Sequence, residues 1–203
     1  MAATDAPLRL IVGLGNPGDE YAATRHNAGF WLLDRLADGA QLRFRREAKL
    51  QGELARLDGG SECWLFKPQT FMNRSGDAVG AVLRFYRIEP REILVVHDDL
   101  DLPAGAVRLK RGGGHGGHNG LRDLAEKLGT GDYLRLRIGI GHPGSAPQVV
   151  GYVLGRPSAA ERESIDGAIG DALRELPAVL GGEAERVMNL LNRRGVKAPS
   201  PPS

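Results

Sequence analysis

Short apolar runs alternate along the chain with longer stretches in which apolar residues recur every three or four positions. The runs are typical of buried β-strands, and the longer stretches are typical of amphipathic helices. This pattern predicts strands at 8–13, 50–57, 62–66, 92–96, 106–110 and 134–140, with a turn at 58–60. It predicts helices at 27–37, 75–86, 121–128 and 159–176, and Pro177 is expected to end the last of them.

The interleaving of strands and helices predicts the α/β class, a single domain whose central sheet is mostly parallel or mixed and is flanked by helices. We place this domain at 8–192 and expect flexible tails at 1–7 and 193–203. In such sheets ligands bind beyond the carboxyl ends of the strands. Asn16 follows the first predicted strand and Asp98 follows a later one, so we expect their two polar clusters to meet at one rim.

Composition narrows the possible classes of protein. A chain of 203 residues, of which 41% are hydrophobic, fits one domain with a sizeable core. The net charge of +2 does not by itself indicate a nucleic-acid partner, so any basic surface must be local. No signal peptide or membrane-spanning apolar run is visible, and we expect a cytoplasmic protein. Cys63 stands in an apolar run and is expected to be a buried hydrophobe, not a nucleophile.

Two glycine-rich segments raise the alternative of nucleotide binding. Residues 13–18 match the pattern G-x-G-x-x-G, but Pro17 interrupts the stretch where a helix should open. The acidic residue that this motif needs about 20 positions later is here Asp34, inside a helical pattern. Residues 112–120 lack the Gly-Lys-Ser/Thr ending of a phosphate loop, although they could bring a bulky ligand close to the backbone. The pattern does not favour nucleotide binding.

Histidine and aspartate residues allow two kinds of chemistry. His97, Asp98, His115 and His118 could together make a metal site, although no helical His-x-x-x-His pair and no cysteine ligand supports it. The other possibility is acid–base catalysis, in which a carboxylate orients a histidine that takes a proton from water. The developing oxyanion then needs fixed donors, which asparagine amides can supply. The candidates are Asn16, Asn73 and Asn119.

Four motifs in order along the chain resemble the signatures of bacterial peptidyl-tRNA hydrolases. They occupy 12–27, 67–76, 97–103 and, as a glycine-rich loop followed by a strand, 112–143. The resemblance covers nearly the whole body of the chain. It implies a single-domain α/β hydrolase with a twisted central sheet. Such an enzyme cuts the ester between a peptide's last carboxyl group and the 3′-terminal ribose of tRNA, and so recycles tRNA from peptides dropped by the ribosome.

The resemblance also implies the roles of individual residues in chemistry. The catalytic histidine of the family falls on His26 and its partner carboxylate on Asp98. The family's site asparagines fall on Asn16, Asn73 and Asn119. A non-catalytic RNA-binding relative is a competing interpretation, since some splicing factors resemble this family. The presence of all five residues argues against it.

Substrate binding is implied at a second set of positions. Tyr21 and Met72 would line the cleft, and a basic pair that contacts the tRNA 5′-phosphate falls on Lys110 and Arg137. Arg135 and Arg137 are two apart in a predicted strand, so both should point to the same face. An ordinary solvated strand face would have the same pattern. The partner we expect is tRNA alone; we expect a monomer with no cofactor, no metal and no protein or membrane partner.

Overall fold

The computed structural model describes residues 6–58 and 62–193. Residues 59 and 60 of the predicted turn and most of both predicted tails lie outside these residues. The strands are β1 Leu10–Gly13, β2 Arg45–Glu47, β3 Gly52–Leu57, β4 Cys63–Pro68, β5 Ile93–Asp99, β6 Val107–Arg111 and β7 Leu134–Gly139. The helices are α1 Ala28–Gly39, α2 Ser75–Tyr86, α3 Asn119–Leu128, α4 Val149–Val153, α5 Ala159–Leu180 and α6 Ala184–Arg193. In this part of the chain no helix is long and apolar enough to cross a membrane.

All seven described strands form one mixed sheet in the order β2-β3-β4-β1-β5-β7-β6. The four central strands, β4, β1, β5 and β7, run parallel to one another. The outer pairs β2–β3, β3–β4 and β6–β7 are antiparallel. The predicted class, a single α/β domain with a mixed and mostly parallel sheet, is confirmed. Parallel strands place their carboxyl ends at one edge, so Asn16 after β1 and Asp98 at the end of β5 lie at the same edge, as expected.

Helices cover both faces of the sheet, which explains why the central strands are apolar on both sides. Ile11 and its neighbours on one face pack against α1, α5 and α6. Leu10 and Val12 point to the opposite face and pack with residues of α2 and α3. Successive side chains of a strand alternate between faces, so three residues of β1 serve two separate apolar clusters.

Helix α5 continues to Leu180, so the prediction that Pro177 ends it is wrong. A proline costs a helix mainly the hydrogen bond that its missing N–H would make, and here the proline stands in the last turn. Leu176 and Val179 are both buried in the core, and burial of this turn offsets the lost bond. The amide of Gly181 donates to the Pro177 carbonyl at 2.9 Å and closes the helix.

Three described elements were not predicted from the sequence. Strand β2 consists of three exposed charged residues and has no apolar alternation to reveal it. Helix α4 has only five residues, which is too short for a periodic pattern. Helix α6 buries Val187 and Leu191, and the guanidinium of Arg108 on β6 donates to the Leu191 carbonyl at 3.0 Å. That hydrogen bond satisfies a carbonyl at the helix end from outside the helix.

The first turn of α1 packs directly on the backbone at the ends of β1 and β5. A Cβ atom added to Gly29 would lie 2.5 Å from the Val96 carbonyl oxygen and 2.6 Å from the Leu14 amide nitrogen. A Cβ atom on Gly13 would lie 2.6 Å from the Gly29 carbonyl oxygen. These neighbours are backbone atoms that cannot rotate away. Only glycine therefore allows α1 to approach the sheet this closely.

We predict that Gly29→Ala lowers the free energy of unfolding by at least about 2 kcal/mol, because the new methyl group overpacks against fixed backbone. The matched control is Gly39→Ala at the other end of α1, where an added Cβ meets nothing within 4 Å. That variant should be neutral or up to about 1 kcal/mol more stable, since alanine is the better helix former. Urea unfolding of both variants checks the prediction, and equal stability of the two would contradict it.

Candidate active site

His26 lies in a single 3₁₀ turn, Arg25–Asn27, directly before α1 and above the carboxyl ends of the central strands. Its side chain is mostly buried, and its Nδ1 atom lies 2.8 Å from Oδ2 and 3.0 Å from Oδ1 of Asp98. Because a carboxylate accepts hydrogen bonds, Nδ1 carries the proton and donates it. The lone pair of the neutral ring is then on Nε2. The two residues predicted to form the catalytic pair are thus brought together.

Asp98 is the next-to-last residue of β5 and is almost completely buried. Burial alone would raise the pKa of its carboxyl group, but His26 and His118 together outweigh burial and hold this pKa well below its usual range. For His26 burial has the opposite effect and lowers the pKa, because the charged form of histidine is the protonated one. The charge of Asp98 and the hydrogen bond to it raise the pKa of His26 by more than burial lowers it. The net result is a histidine with a raised pKa beside a carboxyl group with a lowered one.

A cleft of about 900 Å³ opens beside this pair. It is lined by His26, Asp98, Lys110, Asn119 and Arg137, all five of which the sequence had singled out. Its opposite wall is apolar and comes from α4, through Val149, Val150 and Val153. The cleft therefore combines an acid–base pair, basic groups and an apolar wall.

Asn16 is held rigidly by two neighbours. The side chain of Asn27 accepts from the Asn16 amide at 2.8 Å and donates to the Asn16 carbonyl at 2.9 Å. Oδ1 of Asn16 accepts from the Met72 amide at 2.7 Å. These bonds engage the carbonyl oxygen of the Asn16 side chain and orient its NH2 group as the donor. Asn27 is the last residue of the first motif, and only the folded chain reveals that its side chain holds Asn16 in place.

The remaining predicted site residues lie around Met72, outside the residues that line the large cleft. Met72 itself is buried, and its sulfur would be 2.6 Å from a Cβ atom on Gly120. Asn73 follows it in an exposed 3₁₀ turn. The ring of Tyr21 lies edge-on to the ring of Phe71, with centroids 6.1 Å apart. Their contacts with substrate stay a prediction.

Gly120 joins the asparagine group to the catalytic pair. A Cβ atom there would lie 2.6 Å from the Met72 sulfur on one side and 3.1 Å from Cε1 of His118 on the other. His118 in turn donates from Nε2 to Oδ1 of Asp98 at 2.8 Å. Sequence reasoning had considered His118 only as a metal ligand. The signal that it missed is the position of His118 directly before the first residue of α3, where a side chain caps the helix.

Among the described residues, His26, Asp98 and His118 form a group that could hold a metal ion. Each offers one possible ligand atom, and these three atoms lie within 4.8 Å of one another. A metal ion needs a lone pair on each coordinating nitrogen. Here Nδ1 of His26 and Nε2 of His118 point at the carboxylate as donors, so protons occupy the places of an ion. His97 does not join this group, because its Nδ1 donates to the backbone carbonyl of Asp98 at 2.7 Å. The hydrogen bonding favours acid–base chemistry over metal chemistry.

The basic residues of the cleft differ in their surroundings. Arg135 is 4% exposed, and its guanidinium donates to the Gly113 carbonyl at 2.6 Å and the Gly114 carbonyl at 2.7 Å. It fastens the glycine-rich loop and is not part of a solvated strand face. Arg137 is more exposed and forms an ion pair with Asp99 at 2.7 Å. Both arginines lie on the same face of β7, as predicted, and both line the cleft. The guanidinium of Arg135 is engaged by the loop carbonyls, whereas Arg137 is the more exposed of the two.

Two alternatives from the sequence lose their basis in the structure. Gly13 and Gly15 pack against α1, and a Cβ atom on Gly15 would lie 2.7 Å from the Phe30 ring. This packing accounts for both glycines without a bound pyrophosphate. Cys63 is buried, and burial raises the pKa of its thiol to about 12, so it is a small hydrophobe as expected.

Comparison with known proteins agrees with this geometry. The family model described as peptidyl-tRNA hydrolase matches residues 10–199. A peptidyl-tRNA hydrolase of Neisseria meningitidis serogroup A is 54% identical over 190 residues, which is 92% of this chain and 98% of that protein. That of Halorhodospira halophila is 54% identical over 95% of this chain and 100% of its own length.

Solved structures give the same answer at the level of the fold. The crystal structure of peptidyl-tRNA hydrolase from Acinetobacter baumannii superposes with a TM-score of 0.89 and 48% sequence identity. The superposition covers 92% of this chain and 95% of that one. Sequence, fold and the match over nearly the full length of these relatives lead to one assignment. This chain belongs to the peptidyl-tRNA hydrolase family.

Proposed function

We propose that this protein hydrolyses the ester bond between the peptide and the 3′-terminal ribose of peptidyl-tRNA, with His26 as the general base. The observation that carries the proposal is the hydrogen bond of 2.8 Å between Nδ1 of His26 and the buried carboxylate of Asp98, at the rim of a cleft, in a chain of this family. The reaction releases free tRNA and a peptide with a free carboxyl group.

The geometry supports the following sequence of steps. Nε2 of His26 takes a proton from a water molecule, and the resulting hydroxide attacks the ester carbonyl carbon. The negative charge of Asp98 stabilises the imidazolium that forms, while Asp98 itself stays ionised. The tetrahedral intermediate then collapses, the bond to the ribose oxygen breaks, and the imidazolium returns its proton to that oxygen. No covalent link to the protein is needed.

Asparagine amides are the donors that would stabilise the oxyanion. Asn16 offers an NH2 group whose direction is set by the bonds to Asn27 and Met72. Asn119 is the first residue of α3 and lines the cleft, and Asn73 is exposed beside Met72. A donor that is fixed before the reaction costs no reorganisation when the charge develops. We therefore assign oxyanion or substrate binding to these three residues, with Tyr21 and Met72 beside them.

The tRNA phosphate is assigned to Lys110 and Arg137, two basic groups in the cleft. The Nε atom of Arg137 binds Asp99, so its terminal amino groups are the ones that would meet a phosphate. Because one chain supplies the base, the carboxylate, the asparagines and these cations, a monomer suffices for the reaction. We place it in the cytoplasm, since ribosomes produce its substrate there.

Two substrates test the proposed activity directly. The protein is incubated with N-acetyl-aminoacyl-tRNA, which mimics a peptidyl ester, and with free aminoacyl-tRNA, and ester loss is measured in each. We expect the acetylated substrate to be hydrolysed faster. A protein that binds both tRNAs and hydrolyses neither would be the non-catalytic RNA-binding relative instead, and the proposal would be wrong.

His26→Ala should lower turnover by about 10²–10⁴-fold, which is the usual contribution of a positioned general base. Circular dichroism and a tRNA-binding assay serve as controls, and both should match the wild type. A folded variant that keeps wild-type turnover would remove His26 from the mechanism.

The pH profile follows from the pKa shift of His26. Asp98 raises the pKa of His26 above the ordinary value of 6.5, so the neutral base forms only at higher pH. The value of kcat/KM should therefore rise with pH and level off above 6.5. Asp98→Asn removes the main cause of the raised pKa, so the rise should move to lower pH while the plateau falls. A profile that stays flat from about pH 5 to 8 would be incompatible with a histidine base.

Metal independence is expected because protons hold the positions that a cation would need. Exhaustive treatment with EDTA should leave turnover unchanged. Loss of turnover that Zn²⁺ or Mg²⁺ restores would show that the cluster around Asp98 binds a metal after all.

Lys110→Ala and Arg137→Ala should raise KM for peptidyl-tRNA much more than they lower kcat, because each removes a phosphate contact. Each should also reduce the slope of log affinity against log salt by about 1. Arg91→Ala is the matched control, since Arg91 pairs with Glu89 at the opposite end of β5 and its loss changes the net charge equally. A peptide ester of a short 3′ fragment lacks the tRNA 5′-phosphate and should not distinguish these variants. If Lys110→Ala and Arg137→Ala lost as much activity on the fragment as on peptidyl-tRNA, a role of these residues in phosphate binding would be excluded.

A further inference from the structure

Asp98 receives hydrogen bonds from two histidines, although the proposed reaction uses only His26. Nε2 of His118 lies 2.8 Å from Oδ1 of Asp98, and the side chains of His118 and Asp98 are 9% and 2% exposed. The His26 and His118 rings lie on the same carboxylate with their centroids 4.9 Å apart. This second bond links the carboxylate to the glycine-rich loop and α3.

The protonation of His118 follows from its other contacts. Nδ1 accepts from the Gly120 amide at 3.1 Å and from the Leu121 amide at 3.3 Å, and so caps the first turn of α3. A ring nitrogen that accepts carries no proton, so the ring is neutral and its proton is on Nε2. His118 therefore gives Asp98 a directed donor without adding a positive charge. The helix end selects the tautomer that can bind the carboxylate.

We propose that His118 is a positioning residue: by donating to the Asp98 carboxylate it takes up part of the negative charge that faces His26, and so sets the pH at which His26 becomes a base. The inference rests on the proposed function only where it concerns turnover. The physical reason is that a hydrogen bond to a carboxylate satisfies part of its charge. Less of that charge then remains to stabilise the imidazolium form of His26.

The other ionisable groups near His26 already have partners or stay neutral. His97, which packs edge-on to His118 with ring centroids 5.2 Å apart, has a pKa lowered to about 4, chiefly by burial. Asp99 forms an ion pair with Arg137. The guanidinium of Arg25, next to His26 in sequence, binds Glu161 at 3.0 Å on the far side of the turn. The Asp98–His118 bond is thus the contact whose removal changes the charge that His26 meets.

Two substitutions separate the contact with Asp98 from the cap of α3. His118→Asn keeps a good capping residue, but its side chain is too short to cap the helix and reach Asp98 at once. His118→Gln is longer and can place an NH2 group near the position of Nε2, so it restores a donor to Asp98 without the imidazole cap. If His118 only capped α3, His118→Gln would change the pKa of His26 more than His118→Asn does. The proposal predicts the greater change for His118→Asn.

The experiment is an NMR titration of the His26 ring in the full-length protein without substrate, with the signal assigned from the His26→Ala spectrum. In His118→Asn the pKa of His26 should rise by roughly 0.5–1 unit, and in His118→Gln it should stay closer to the wild-type value. The acid limb of kcat/KM should move in the same direction. His115→Asn is the matched control, because Nδ1 of His115 accepts from the Gly117 amide in the same way but has no bond to Asp98.

The proposal is overturned if the His26 titration of His118→Asn coincides with that of the wild type, or if His115→Asn shifts it equally. It is also overturned if His118→Gln shifts it more than His118→Asn does. Since the titration needs no substrate, its outcome is separate from that of the proposed function. A shifted titration together with an active His26→Ala variant would refute the catalytic role of His26 and leave the effect of His118 on Asp98 intact.

Discussion

The close backbone contact between the first turn of α1 and the ends of β1 and β5 is the constraint on which the site depends. Gly29 touches the Val96 carbonyl and the backbone of Leu14, so the helix cannot shift along the sheet. His26 precedes this contact by three residues, and Asp98 follows Val96 by two. A contact between rigid elements thus fixes the separation of two side chains from distant parts of the chain, which side-chain hydrogen bonds alone could not do.

The electrostatics of the site follow from burying one carboxylate among neutral donors. An isolated buried charge is costly, and Asp98 avoids this cost by accepting from two histidines of different elements. Each histidine uses its second nitrogen differently. His118 turns its Nδ1 to the amides of α3, whereas Nε2 of His26 carries the lone pair of the neutral ring. The same carboxylate therefore anchors a structural loop and orients the His26 ring.

Much of the fold was predictable because the spacing of apolar residues along the chain indicates which side of a strand or helix is buried. The central strands and α1, α2 and α3 were placed within a few residues, and the shared rim of Asn16 and Asp98 followed from the parallel topology. The failures have physical causes. Pro177 was expected to end a helix, but a proline in a last turn loses one hydrogen bond and the packing of Val179 outweighs it. Strand β2 has no buried face, so no alternation could reveal it.

The sequence by itself determined the fold class, the family and the face of β7 that carries its arginines, and it singled out His26 and Asp98 as the pair proposed for catalysis. The tertiary structure alone decided the partners of these side chains. It placed His118 on Asp98, buried Arg135 against the glycine-rich loop and paired Arg137 with Asp99. The reason is that periodicity and motifs depend on neighbours along the chain, whereas a side-chain hydrogen bond depends on which distant loop crosses above it. That crossing exists only after the sheet and its helices have packed.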